Sequence, residues 1–143
     1  MSTKSFTINL PIITGDQDRR RLQKSFSFGC NLQNAVMGGG WDRVQQMRAT
    51  PEWQAARVMP KGKERTQAFR DLRIRFRLSE YDFHADVAQH RKASGRGHLL
   101  GINECQKIAS RAWISVERHI YKDGSPRFIS SKRGLHSCLL YTS

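Results

Sequence analysis

Apolar and polar residues alternate along Ser5 to Ile13, SFTINLPII, which sets Phe6, Ile8 and Leu10 on one side. A period of two marks a half-buried strand, and Pro11 ends it. The period then lengthens. From Gln17 to Met37, the residues Leu22, Phe26 and Cys30 step by four, and Leu32 and Val36 continue a drifting face. That spacing predicts a helix. Thr14 or Asp16 can cap its start, and Gly38-Gly39-Gly40 is expected to end it. WDRVQQMRA, beginning at Trp41, reads as a short helix. Another opens at Thr50-Pro51-Glu52, with Thr50 as cap and Pro51 at the first helical position. Pro60-Lys61-Gly62 breaks it.

Glu64 to Leu78 predicts a helix with Phe69, Leu72 and Phe76 on one face. Arg70, Arg73 and Arg77 share the same spacing beside that face. Ser79 to Asp82, SEYD, has the form of a capping box and predicts a helix to about Lys92. ASGRGHLLG follows as a basic loop. Asn103 is expected to cap a helix from Glu104 to about Tyr121, with Ile108, Ala112, Val116 and Ile120 along one face and Ala109 and Trp113 beside them. Asp123-Gly124-Ser125-Pro126 is a turn, and Arg127-Phe128-Ile129 reads as a strand beginning. The pattern is therefore mainly α, within an α+β class. Its two strands are separated by most of the chain. A two-stranded sheet is marginal in water, so both strands are expected to belong to a larger sheet.

Charge sharpens this picture. The chain has 143 residues, 25 Lys+Arg against 12 Asp+Glu, and a net charge of +13. Such a surplus repels itself unless a polyanion offsets it. Nucleic acid is the first candidate partner and an anionic membrane surface the second. No stretch supplies the roughly 18 apolar residues of a spanning helix, and MSTKSFTINLPII lacks a signal-peptide pattern. Cys30, Cys105 and Cys138 are dispersed and odd in number, which fits a reducing compartment better than a disulfide framework. A soluble cytoplasmic protein is expected, with no membrane partner and no small-molecule substrate.

The candidate binding residues are basic. Arg70, Arg73 and Arg77 could grip successive phosphates, because guanidinium forks match phosphate oxygens. A solvated helix face is the alternative. Arg91, Lys92, Arg96 and His98 could wrap a strand from the basic loop. Lys4, Arg127, Lys132 and Arg133 add cations around the two expected strands. Trp41, Trp53 and Trp113 could stack bases, although Trp113 lies on the apolar edge of its helix and is expected in the core. Asp82, Asp86 and His90 are spaced by four and could face a divalent metal. Asp82 is already used by the capping box, and an exposed polar face is the ordinary reading. No catalytic residue and no cofactor site is expected, since no nucleophile signature or phosphate-binding loop is present.

Four stretches resemble the N-terminal part of a transposon-encoded RNA-guided endonuclease of the TnpB (OrfB) type, a family also called putative transposases and related to the miniature type V CRISPR nucleases. KSFTINLPI at Lys4 to Ile12 resembles its opening strand. LQKSFSFGCNLQNAVM at Leu22 to Met37 resembles its first helix, with a Leu-aromatic-Asn-x-Ala run in which Gln33 stands for the aromatic. CQKIASRAWISVERHIY at Cys105 to Tyr121 resembles the helix before a return strand. GSPRF at Gly124 to Phe128, followed by GLHS, resembles Gly-x-Pro-Arg-Phe and a later Leu-Asn-Ser, with His136 for the Asn. The resemblance implies a first strand of a wedge-like β-barrel at 1–13, a helical recognition lobe at 14–121, and the turn and return strand at 122–137. The lobe, inserted between strands of an incomplete barrel, would hold guide RNA and target DNA, with sequence reading delegated to base pairing. The RuvC-like nuclease domain and zinc ribbon of the family would follow and are not in this sequence, so the chain alone is not expected to cut DNA. CLLYTS at 138–143 matches nothing in the family and reads as a frameshift or sequencing-adaptor remnant. A free-standing basic RNA- or DNA-binding accessory protein is the alternative, and a small metal enzyme built on Asp82, Asp86 and His90 is a further one.

Overall fold

The computed structural model describes residues 15–129. They form α1 (Asp16–Arg48), α2 (Pro51–Val58), α3 (Lys63–Arg75), α4 (Glu80–Ser94), a single 3-10 turn at Gly97–Leu99 and α5 (Ile102–Glu117). The described residues are mainly helical, as the hydrophobic spacing predicts. The expected strand at Phe6 to Leu10 and the segment from 130 onward lie outside them. Residues 125–129 carry no regular secondary structure.

The helix α1 is the spine. Its 33 residues, about 50 Å at 1.5 Å per residue, carry Phe28, Leu32, Val36, Met37, Val44 and Met47 into the core. Contrary to expectation, Gly38-Gly39-Gly40 does not end it, and WDRVQQMRA continues the same helix. Each interior glycine costs about 1 kcal/mol relative to alanine. Packing offsets this. The Phe83 ring of α4 lies directly on Gly40, where a Cβ would collide with Cζ and sit 3.0 and 3.1 Å from Cε1 and Cε2. Phe83 is fully buried there. Its ring meets Trp113 of α5 edge-on, at 5.3 Å and 74°. The expectation that Trp113 is a core residue therefore holds.

Thr50 joins α1 to α2. Its hydroxyl donates to the Met47 carbonyl at 2.6 Å and accepts from the Trp53 amide at 3.2 Å, with Pro51 at the first helical position. In α3, Leu72 is buried and Phe69 packs partly against the core, as does Phe76 just past the helix end. The helix stops at Arg75, short of the expected Leu78. The Leu78 amide donates to the Arg73 carbonyl at 2.8 Å and the Arg77 amide to Ile74 at 3.2 Å. Those two bonds are a Schellman motif, and Arg77 takes its left-handed position with φ 56°. Glycine usually stands there. Arginine hides the stop signal from the sequence at a cost of about 1 kcal/mol.

Ser79 caps α4 as expected, accepting from the Asp82 amide at 3.1 Å and donating to its carboxylate at 2.7 Å. Gly95 closes α4 in the left-handed region, at φ 69°. Gly101, rather than Asn103, precedes α5, and no side chain caps it. Asn103 sits inside the first turn and is exposed. α5 buries Cys105, Ile108, Ala109, Ala112, Trp113 and Val116, and it ends at Glu117 rather than Tyr121. It packs on α1 and α4, while α2 and α3 form the smaller pair at one end. Cys105 is a buried free thiol. No helix among the described residues is long and apolar enough to cross a membrane.

Gly40→Ala should lower the unfolding free energy by about 1–3 kcal/mol, because overpacking against Phe83 outweighs the gain in propensity. Gly39→Ala should raise it by up to about 1 kcal/mol, since its Cβ would meet only the far end of Arg43 at 3.7 Å. Urea denaturation of the two variants checks both signs.

Candidate nucleic-acid interface

The first turns of α1 carry Arg19, Arg20, Arg21 and Lys24, all exposed. Asp16 and Asp18 precede them and favour the helix start through its dipole. Arg20 and Lys24, four residues apart, lie on one side of α1. The left-handed turn at Gly95 and the short 3-10 turn bring Arg96 and His98 opposite. Between the two elements runs a cleft of about 510 Å³, lined by Arg20, Gln23, Lys24, Ser27, Arg96, His98 and Leu99. Its lining has no carboxylate. Of these residues, sequence reasoning singled out Arg96 and His98. It missed Arg20 and Lys24, although RRRLQK was a visible basic run, because only the fold sets that run against the loop.

Arg91 has a different task. Its guanidinium donates to the carbonyls of Gly97 at 2.6 Å and Leu100 at 3.0 Å, and so staples the loop that carries Arg96. Lys92 is exposed in the last turn of α4, and Arg127 is exposed after α5. Lys4, Lys132 and Arg133 lie outside the described residues.

The expected stripe on α3 divides. Arg70 is exposed on the helix. Arg73 is half-buried, its guanidinium 5.5 Å from the Trp113 ring centroid. Arg77 lies beyond the helix end, so it does not continue the face. Its Nη2 is 3.0 Å from Asp86 Oδ1, while Arg43 Nη2 is 2.7 Å from Asp86 Oδ2. Arg43 also donates to the carbonyls of Phe76 at 3.1 Å and Arg77 at 3.2 Å. One buried carboxylate on α4 thus ties α1 to the turn after α3.

That commitment bears on the metal alternative. Asp86 is engaged by two guanidinium groups, Asp82 by Ser79, and His90 is exposed. Among the described residues, no group of three or more His, Cys, Asp or Glu side chains could hold a metal ion.

A second basic cleft, about 360 Å³, was not anticipated. Arg48, Arg57, Arg65 and Lys122 line it together with Trp53, Phe69 and Tyr121. Arg48 donates to the carbonyls of Ile120, Lys122 and His119. Burial holds its guanidinium below its ordinary pKa, with Asp123 opposing and Arg57 adding to that fall. Of the tryptophans considered for base stacking, Trp53 and Trp113 are buried and Trp41 is partly buried. No family model, curated protein or solved structure matches this chain.

Asp86→Ala should destabilise the fold by about 1–3 kcal/mol, because the largely buried Arg43 guanidinium keeps its carbonyl acceptors but loses its countercharge. Arg77→Ala should cost less, since its side chain is 51% exposed and the ion pair is partly solvated. Chemical denaturation of both variants gives the order.

Proposed function

We propose that this chain binds nucleic acid through its phosphates, as the N-terminal portion of an RNA-guided DNA endonuclease of the TnpB type. The cleft between α1 and the loop after α4 carries this reading. Arg20, Lys24, Arg96 and His98 line it without a carboxylate, on a chain of net charge +13. Guanidinium and ammonium groups in such a groove suit a phosphate backbone. Arg70, Lys92 and Arg127 extend the basic surface. Guide RNA and target DNA are the partners that the sequence resemblance implies, and the helices would serve as a recognition lobe beside a wedge-like barrel. Contacts join α1 to the segment after α5, at or beside two of the stretches that carry the resemblance. The Asn34 side-chain amide accepts from the Ile129 amide and donates to its carbonyl, both at 2.8 Å. The Phe128 ring lies 3.7 Å from where a Cβ of Gly38 would sit. The helix α1 and the segment after α5 are therefore docked on each other, a proximity that is compatible with a lobe inserted between strands.

The closed helical core also suits a free-standing RNA- or DNA-binding accessory protein. Phosphate binding by the same cleft is common to both readings, and it is directly measurable. In fluorescence anisotropy with single-stranded RNA and DNA, log K should fall linearly with log[salt]. Replacing Arg20, Lys24 and Arg96 with alanine should flatten that slope by about two units, at about 0.7–0.9 per lost phosphate contact. The loss should be similar for strands of different sequence, because phosphates carry no sequence information. An unchanged affinity and slope in this variant would remove the cleft from the binding surface.

A further inference from the structure

The second basic cleft combines cations with an open aromatic ring. Four parts of the chain build it: the end of α1, the helix α2, the start of α3 and the segment after α5. Trp53 is buried and stacks on Tyr121 at 5.7 Å and 18°. Phe69 meets both edge-on, at 5.0 Å from Trp53 and 5.4 Å from Tyr121. These contacts fix the Tyr121 ring, yet 51% of the residue stays exposed. A large half-open aromatic held rigid by two others has lost little by being ordered already, which favours stacking of a further ring.

The cations around it fall into two groups. Arg48 is used by the backbone carbonyls and shapes the floor. Arg57 and Lys122 are exposed on the rim. Arg65 lies over the Phe69 ring at 5.5 Å, and its buried Nε has no hydrogen-bond partner among the described residues. Asp123 is the one carboxylate in the lining, against four cations. A ligand that fits has a flat π-face for Tyr121 and an anionic group for Arg57, Arg65 and Lys122. At about 360 Å³ the cleft has the size of a small-ligand site.

We propose that this cleft seats one unpaired nucleotide of a bound strand, with its base on Tyr121 and its phosphate against Arg57, Arg65 and Lys122. The proposal rests on the nucleic-acid reading and adds a base-dependent contact to a phosphate-dependent one. The chain would then prefer single-stranded or bulged nucleic acid to a bare polyanion. Stacking tolerates any base, because every base has a π-face.

The test uses the full chain and two labelled strands of equal length, oligouridine and the same backbone without bases. Wild type should bind the base-bearing strand about tenfold more tightly. Tyr121→Ala should abolish that preference while keeping the salt slope. Arg57→Ala should lower affinity for oligouridine and flatten its slope by about 0.7. Circular dichroism confirms that both variants retain the helices, and Arg57, at the rim, gives a reading independent of the aromatic cluster. Salt-dependent binding of both strands with equal affinity, or a preference that survives Tyr121→Ala, overturns the nucleotide site and leaves phosphate binding intact. Failure of wild type to bind either strand overturns both. Saturable binding of free uridine monophosphate, lost in Tyr121→Ala, would assign the cleft to a mononucleotide instead and overturn the strand assignment.

Discussion

A phenyl ring seated on a glycine sets the spacing of this fold. Because Gly40 has no Cβ, Phe83 brings α4 closer to α1 than a side chain would permit. Much else follows from that approach. Three residues after Phe83, Asp86 meets Arg43, which stands three residues beyond Gly40. The Phe83 ring also meets Trp113 edge-on, so α5 packs on the same ring. With α4 fixed, its C-terminal turn at Gly95 and the staple from Arg91 place Arg96 and His98 opposite the start of α1. The basic cleft is thus a consequence of packing some distance away.

The arginines divide by what they touch. Arg43, Arg48 and Arg91 each donate to main-chain carbonyls left without partners where helices or turns end. Such groups need satisfaction when buried, and a guanidinium reaches several at once. These residues hold the structure together. The exposed cations on the early turns of α1, on α3 and in the loop after α4 have no comparable task in the fold, and they make the surface strongly basic. Net charge alone does not separate the two groups, whereas hydrogen-bond partners do.

Much of the helical layout was legible in the sequence. The spacing of Ile108, Ala112 and Val116 gave the buried face of α5, and Thr50-Pro51 and Ser79 marked real helix starts. Departures came where tertiary contact overrode local signals. Three consecutive glycines read as a stop because propensity says so, yet they are tolerated inside α1 where Gly40 accommodates a ring from another helix. Arg77 in a left-handed turn is unreadable from its residue type, since its geometry is held by Asp86 and the Leu78 anchor. Candidate-site residues were legible as a class, basic and exposed, but not as a set. Which cations face one another depends on how α1, the loop after α4 and the segment after α5 converge, and no local pattern encodes that.

Arg48 gives the molecule a particular kind of cooperativity. It belongs to the last turn of α1, yet it serves the carbonyls just past the end of α5, 72 residues away for Ile120. Neither helix can complete that terminus alone. In the unfolded chain the arginine and its acceptors must find each other across a long loop, whose closure entropy is lost before the bonds return anything. The end of α1, the exit from α5 and the Trp53–Tyr121 stack beside them therefore belong to one foldon, which opens as a unit rather than fraying residue by residue.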